Sequence, residues 1–346
     1  MNKEGDLNLK KAIEKSGFQD RIFIWGASDK SRPILEKIKQ WGFCICGFID
    51  RNYINIKEYE GYHVYGIEEL KNKCFVYVAL QANYVDVIKT LEQLGYQEFI
   101  NYWYPGKLVE LDGTQNYQDM YGNQLTTYNK KKITIRLRNG GKIKVESNNL
   151  DDSTKITSEG NATVSIGSNV YTGEKVIISN TNGTIEIEEG CKLGSHITLR
   201  TSCGGAIFIH KKTTIQRLGA IVASFHAKVV LKADCMLSYL VLIRAGNSHN
   251  MIDLDTGCHL DDNNSRDVIL GEHVWVGMRA TIMNGVEVGS GSTIGANTFL
   301  CKKKYGSNCC VAGNPPRVLR KRTAWMRDGV SMKKDVEDYK EYIYDN

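Results

Sequence analysis

Residues 244–253 read "RAGNSHNMID", and within them His249 is a side chain that changes charge near neutral pH. A neutral imidazole, with a reference pKa of about 6.5, can take the proton from a hydroxyl as that oxygen attacks an electrophile. Asn247 and Ser248 stand just before it and bring an amide and a hydroxyl, groups suited to holding a polar substrate. The stretch from Asp253 to Arg266, "DLDTGCHLDDNNSR", is too polar to line a dry core and predicts a protruding loop. His249 therefore stands where a regular element gives way to a loop. Without that context, a loop histidine is simply a solvated side chain.

The loop interrupts a six-residue rhythm. From Leu270, steps of six reach Val276, Ile282, Val288, Ile294 and Leu300, all aliphatic. The next residue is Gly271, Gly277, Gly289 or Gly295 in four of these six units. The residue four along is small or β-branched: Val274, Ala280, Val286, Ser292 or Thr298. The same phase runs through Ile187, Leu193 and Leu199, then Ile209, Ile215 and Ile221, then Leu231, Leu237 and Ile243. One unit is a short strand plus a turn, and three units close a triangular coil. The aliphatic residues point inward, the small residue fits the corner and glycine eases the turn. Coils stacked at about 4.8 Å make a solenoid of parallel β-strands. His226 precedes Ser248 by 22 residues, one coil step, so it should project from the same corner, as a substrate contact, a second base candidate or simply an exposed corner residue. His196, His210 and His273 fall at outward positions, which predicts solvated rings.

The N-terminal third has a different pattern. "RIFIWG" (21–26), "FCICGFID" (43–50), "CFVYVAL" (74–80) and "EFINYW" (98–103) read as strands. "SDKSRPILEKIKQWGF" and "NYVDVIKTLEQLGY" read as amphipathic helices between them, the first capped by Ser31 with Pro33 in its first turn. Alternating strands and helices predict a parallel sheet with helices on its faces. Gly26 and Asp50 sit where a dinucleotide fold would meet a phosphate and a ribose. The turn "GASDKS" lacks the second and third glycines of that motif, which favours a module that binds no dinucleotide. The chain is thus read as an α/β Rossmann-like domain over 1–104, a linker over 105–130, a parallel β-helix over 131–316 and a basic C-terminal tail over 317–346.

Composition narrows the function classes. Of the 346 residues, 24% are charged and 42% hydrophobic, which fits a soluble globular protein. No apolar run reaches the roughly 20 residues of a membrane span. The charged start "MNKEGDLNLKK" does not resemble a signal peptide, so a cytoplasmic location is expected. The net charge of +6 gathers partly in "PPRVLRKRTAWMR", a local patch that does not indicate nucleic-acid binding. The ten cysteines include no Cys-x-x-Cys pair, and Cys191 and Cys235 fall at small-residue positions of the repeat, so they read as reduced packing residues. No His/Cys group has zinc-ligand spacing.

"VILGEHVWVGMRATIMNGVEVGSGSTIGANTFL" and "VAGNPPRVLR" resemble the hexapeptide-repeat acyltransferases over roughly residues 140–327. The second segment is similar to the Gly-Asn-Pro-Ala-(Lys/Arg)-Val ending of sugar O-acetyltransferases, with Pro316 in place of alanine; Trp325 also fits that branch. The resemblance implies a left-handed β-helix, a homotrimer with sites between neighbouring subunits, and acetyl-CoA as co-substrate with no tightly bound cofactor. "SHNMID" resembles the loop motif Gly-His-x-Ile-x-Asp of glycan O-acetyltransferases, with Ser248 replacing glycine. That implies His249 as the base and Asp253 as its orienting carboxylate. Asp255, Asp261 and Asp262 are less specific alternatives for that role. By the same resemblance Trp275, Gly277, Ala296 and Lys302 contact CoA, and Arg317 and Arg320 meet its phosphates. "IFIWGAS" and "GFID" resemble the small N-terminal domain of two-domain bacterial sugar acetyltransferases that modify nucleotide-linked amino sugars. The expected activity is acetyl transfer to a sugar hydroxyl of a glycan or its precursor. An N-acetyltransferase of nucleotide-linked amino sugars and a non-catalytic glycan-binding β-helix are the alternatives.

Overall fold

The computed structural model describes residues 3–71, 73–80, 84–247, 252–258, 267–327, 340 and 342–344. Two compact units emerge: Met1–Val109 with Gln118–Asn123 and Arg138–Gly140, and Glu110–Tyr117 with Gln124–Leu137 and Gly141–Asn346.

The first unit contains helix α1 (Lys3–Ser16), strand β1 (Ile22–Trp25), α2 (Arg32–Gln40), β2 (Ile45–Ile49), β3 (Glu58–Tyr59), β4 (Tyr62–Tyr65), β5 (Phe75–Val78), α3 (Tyr84–Gln93) and β6 (Tyr102–Trp103). Its strands lie in the order β3-β4-β2-β1-β5-β6, with β1 parallel to both β2 and β5. All four β1 residues are buried because helices cover both faces. Ile22 and Ile24 pack with Leu9, Ala12 and Ile13 of α1 and Ile34, Leu35 and Ile38 of α2. Phe23 and Trp25 face the other way, toward Val87 and Leu91 of α3. The period-2 alternation of a strand thus divides one apolar run between two cores. Helix α1 has no counterpart in the sequence reading: its apolar stripe is only Leu9, Ala12 and Ile13 among charged residues.

One local expectation is revised. Ser31 precedes α2 but makes no side-chain cap; its hydroxyl donates to the Ser28 carbonyl at 2.6 Å. Asp50 fills the turn it was compared with. Its carboxylate accepts from the Ala27 amide at 3.0 Å and the Asn52 amide at 2.8 Å. A negative charge of the chain's own therefore occupies the amide that a phosphate would need.

The second unit is a three-sided solenoid. Among the described residues its sheets have nine, ten and eight strands, and away from their ends each takes every third strand of the chain. The inward columns are the aliphatic residues of the repeat. The first face stacks Ile178, Leu199, Ile221, Ile243, Ile282 and Leu300. The second stacks Ile166, Ile187, Ile209, Leu231, Leu270 and Val288. The third stacks Leu193, Ile215, Leu237, Val276, Ile294 and Val311. The solenoid starts earlier than its periodicity shows. Strands Val109–Leu111, Tyr117–Gln118 and Gln124–Thr127, inside the stretch read as a linker, already belong to these sheets. Its end differs too: Arg317–Lys321, read as tail, is a strand antiparallel to Cys309–Ala312.

The corners assign new roles to the repeat positions. Val274, Ala280, Val286, Ser292 and Thr298 are buried there, as their size predicts. The glycine after the aliphatic residue serves close approach, not turn strain. A Cβ on Gly271 or Gly289 would lie 2.5 or 2.3 Å from backbone nitrogen of the coil above. Left-handed backbone falls two residues later instead, at His273, Arg279 and Asn297, with φ of 53°, 59° and 55°. Cys191 and Cys235 are corner residues as well. Burial pushes their thiols up to about 11 and about 12, which keeps them protonated and inert.

Candidate active site

The loop leaves the solenoid at the corner between its first and second faces. Ala223 pairs with Ala245 and Ile243 with Ile282, so Gly246 and Asn247 extend the first face into that corner. The second face continues across the insertion. Ile209 pairs with Leu231, and Leu231 pairs with Leu270, a step of 39 residues, where the next pairing up joins Leu270 to Val288 in 18. The coil closes over the insertion instead of being broken by it.

Asn247 is fixed from above: Asn284 Nδ2 donates to its Oδ1 at 3.0 Å. The Lys302 amide in turn donates to the Asn284 carbonyl at 2.9 Å. Lys302 therefore stands at the loop's corner, on a different corner from Gly277 and Ala296, with which it was grouped. His226 is exposed, with φ of 63°, and its amide donates to the Cys203 carbonyl of the coil below. Ser224, two residues before it, lies directly beneath Gly246. His226 thus shares the corner from which the loop departs. Ser248 and His249, like Asp261 and Asp262, lie outside the described residues.

Asp253 is described, and its carboxylate is engaged locally. Oδ1 accepts from the Asp255 and Thr256 amides, both at 2.9 Å. Those bonds, the Thr256 amide foremost, hold its carboxyl below the usual range. Asp253 is an ionised turn anchor within the loop.

The other candidates line the third face. Trp275 points outward, half-exposed, and its Nε1 donates to Ser238 Oγ at 3.3 Å. Its outward column continues through Thr293 and Cys310 to Arg320 on the final strand. A bulge between Cys310 and Val311 keeps Arg320 opposite Cys310 and Arg317 opposite Ala312. Gly277 and Ala296 follow at the adjoining corner, where a Cβ on Gly277 would lie 2.6 Å from the Ala296 nitrogen. Three strand spacings, about 14 Å, separate Trp275 from Arg320. Within one chain this face lies opposite the loop's corner, so among the described residues Trp275 is not brought to the loop.

His273 overturns its solvated expectation. It is 3% exposed. Its Nδ1 lies 2.6 Å from Asp234 Oδ2 and its Nε2 2.9 Å from the Trp325 carbonyl. The Trp325 ring stacks on it at 4.0 Å with an interplanar angle of 6°, and Trp325 Nε1 donates to the His273 carbonyl at 2.8 Å. Arg327 closes the cluster through Asp234 Oδ1 at 2.7 Å and Thr214 Oγ1 at 3.0 Å. Residues 323–327 form a strap along the corner between the second and third faces. The sequence signals for it were the composition of "RTAWMR" and an outward histidine, which do not reveal that they meet.

Residues 267–302 match the family model described as bacterial transferase hexapeptide (six repeats). The chain is 32% identical over 124 residues to a polysialic acid O-acetyltransferase of Escherichia coli O1:K1 / APEC, covering 36% of this chain and 39% of that protein. It is 30% identical over 151 residues to a polysialic acid O-acetyltransferase of Neisseria meningitidis, covering 41% and 66%. The chain thus spans less than two thirds of the length of either curated relative. A solved polysialic-acid-specific acetyltransferase aligns with 64% of this chain and 91% of its own at 25% identity and a TM-score of 0.43. Residues 267–302 thus match the bacterial transferase hexapeptide repeat within a longer three-sided solenoid of parallel strands in the same six-residue register.

Proposed function

We propose that this protein is an acetyl-CoA-dependent O-acetyltransferase that acts on a sugar hydroxyl of a glycan or glycan precursor. The observation that carries the reading is the insertion at the first corner, with Asn247 and His226 beside it, on a solenoid whose third face offers the Trp275–Arg320 column. The names of the two curated relatives support a glycan hydroxyl as acceptor.

In this reading His249 takes the proton of the acceptor hydroxyl as its oxygen attacks the thioester carbonyl. The C–O bond forms, the tetrahedral intermediate collapses and the C–S bond breaks. The CoA thiolate leaves and recovers the proton from the imidazolium. Exposed backbone amides stabilise the oxyanion. Asn247, Ser248 and His226 hold the acceptor. Trp275, Gly277 and Ala296 of one subunit and Lys302 of the subunit that supplies the loop contact the donor, and Arg317 and Arg320 meet its phosphates as charge-assisted partners. The loop corner and the Trp275 face lie on opposite sides of one coil, which supports a site formed between subunits of a homotrimer. The enzyme works in the cytoplasm, beside its acetyl-CoA supply. No helix among the described residues is long and apolar enough to cross a membrane.

The test is thiol release from acetyl-CoA against sugars, nucleotide-linked amino sugars and oligosaccharides, with wild type and His249→Ala. Turnover with a hydroxyl acceptor, reduced about 100-fold or more in the variant, is expected. Equal turnover in His249→Ala overturns the base assignment. Transfer confined to an amine means N-acetylation, and no transfer with any acceptor favours a binding protein.

A further inference from the structure

We infer that the C-terminal strap is part of the donor site, with Trp325 as a positioning residue that sets the ring of Trp275. The inference rests on the reading of Trp275 as a CoA contact. Trp275 is half-exposed, and a single 3.3 Å hydrogen bond to Ser238 would leave its indole free to swing. Its second restraint is Trp325, whose ring centroid is 6.0 Å away at 45°. An aromatic pair at that spacing holds both rings in preferred orientations.

Trp325 can hold its neighbour because it is itself fixed. It is 7% exposed, and it is held through its ring, its indole N–H and its carbonyl by one residue, His273. The Arg327 guanidinium lies 5.7 Å from the centre of the Trp325 ring, within cation–π range. Arg327 also donates to the Asp234 and Cys235 carbonyls at 2.9 and 3.0 Å, which ties the strap to the coil below. A buried, fixed aromatic therefore backs a half-exposed one on the outward column that ends at Arg320. A stable strap alone would not require Trp325 to face Trp275. A donor wall does require it, since a flat ring that grips a long flexible thiol arm must be presented in one orientation.

Three variants of the full chain separate the two roles. Trp325→Ala should raise the Kd for CoA and the KM for acetyl-CoA about three- to tenfold, the worth of one aromatic pair, with kcat changed less than about twofold. Trp325→Phe keeps a ring against Trp275 and should restore most of that loss. Tyr344→Ala removes another ring of the same cluster, 6.5 Å from that of His273, and should leave KM unaltered. Thermal unfolding of each variant reports strap integrity separately, and if Trp325→Ala does not fold, Trp325→Leu replaces it. An unchanged KM in Trp325→Ala, or an equal rise in Tyr344→Ala, overturns the inference and leaves the proposed function standing. Failure of the wild-type protein to bind CoA in isothermal titration overturns the donor reading itself and the inference with it.

Discussion

Asp253 enters the loop with its carboxylate already committed to the amides of Asp255 and Thr256. That commitment makes it a clean probe of the base it is expected to orient. Asp253→Asn keeps a side-chain oxygen for the two amides, so the turn survives while the negative charge goes. A nearby carboxylate favours the protonated form of an imidazole and raises its pKa. Loss of the charge should therefore lower the pKa of His249, and the acid limb of kcat/KM should move to lower pH with a reduced plateau. A pH profile of acetyl transfer measures this, and an acid limb that stays in place removes Asp253 from the role. At this scale the motif was legible because "SHNMID" is contiguous. The engagement of Asp253 was not, because a turn's hydrogen bonds follow from backbone geometry that the letters do not show.

The element that presents the loop depends on close stacking of coils. Gly246 has φ of 82°, and a Cβ there would lie 2.2 Å from the Ser224 carbonyl oxygen of the coil below. Gly246→Ala must push two backbones apart and also strain a left-handed residue. It should cost about 2–3 kcal/mol, read from urea denaturation, and the displaced loop entry should cost activity as well. A loss below about 0.5 kcal/mol would mean that the corner can open freely. The period of six was visible in the sequence, since each unit repeats its own inward residue. The cause of its glycines was not: their need arises from the coil above, 18 residues on, and not from their own turn. Strands 109–127 were missed for a related reason, because their short apolar runs lack the regular phase that marks later coils.

At the scale of the molecule, the loop corner and the Trp275 column lie on opposite sides of one solenoid. In the proposed function, a site that uses both draws them from different chains. Two defective proteins, His249→Ala and Trp275→Ala, should therefore complement each other when co-assembled, because some interfaces receive an intact loop from one chain and an intact third face from the other. Activity of the mixture well above that of either variant alone is expected, with sedimentation measuring the assembly. Activity no higher than the two variants' average would place the whole site within one chain.

The repeat, its three-sided coil, the inward columns and the site of the insertion are set by the sequence itself. Each depends on residues six apart or adjacent, and such local periodicity is written directly in the letters. The α/β order of the first unit is legible for the same reason. Which outward residues are covered was decided only by the tertiary structure. His273 carries an outward corner position, yet it is buried by Trp325, 52 residues further along the chain. The strap, the bulge that keeps Arg320 in the Trp275 column and the separation of that column from the loop likewise depend on chain segments brought together by folding. Local spacing says which way a side chain points; what meets it there is settled by the path of the rest of the chain.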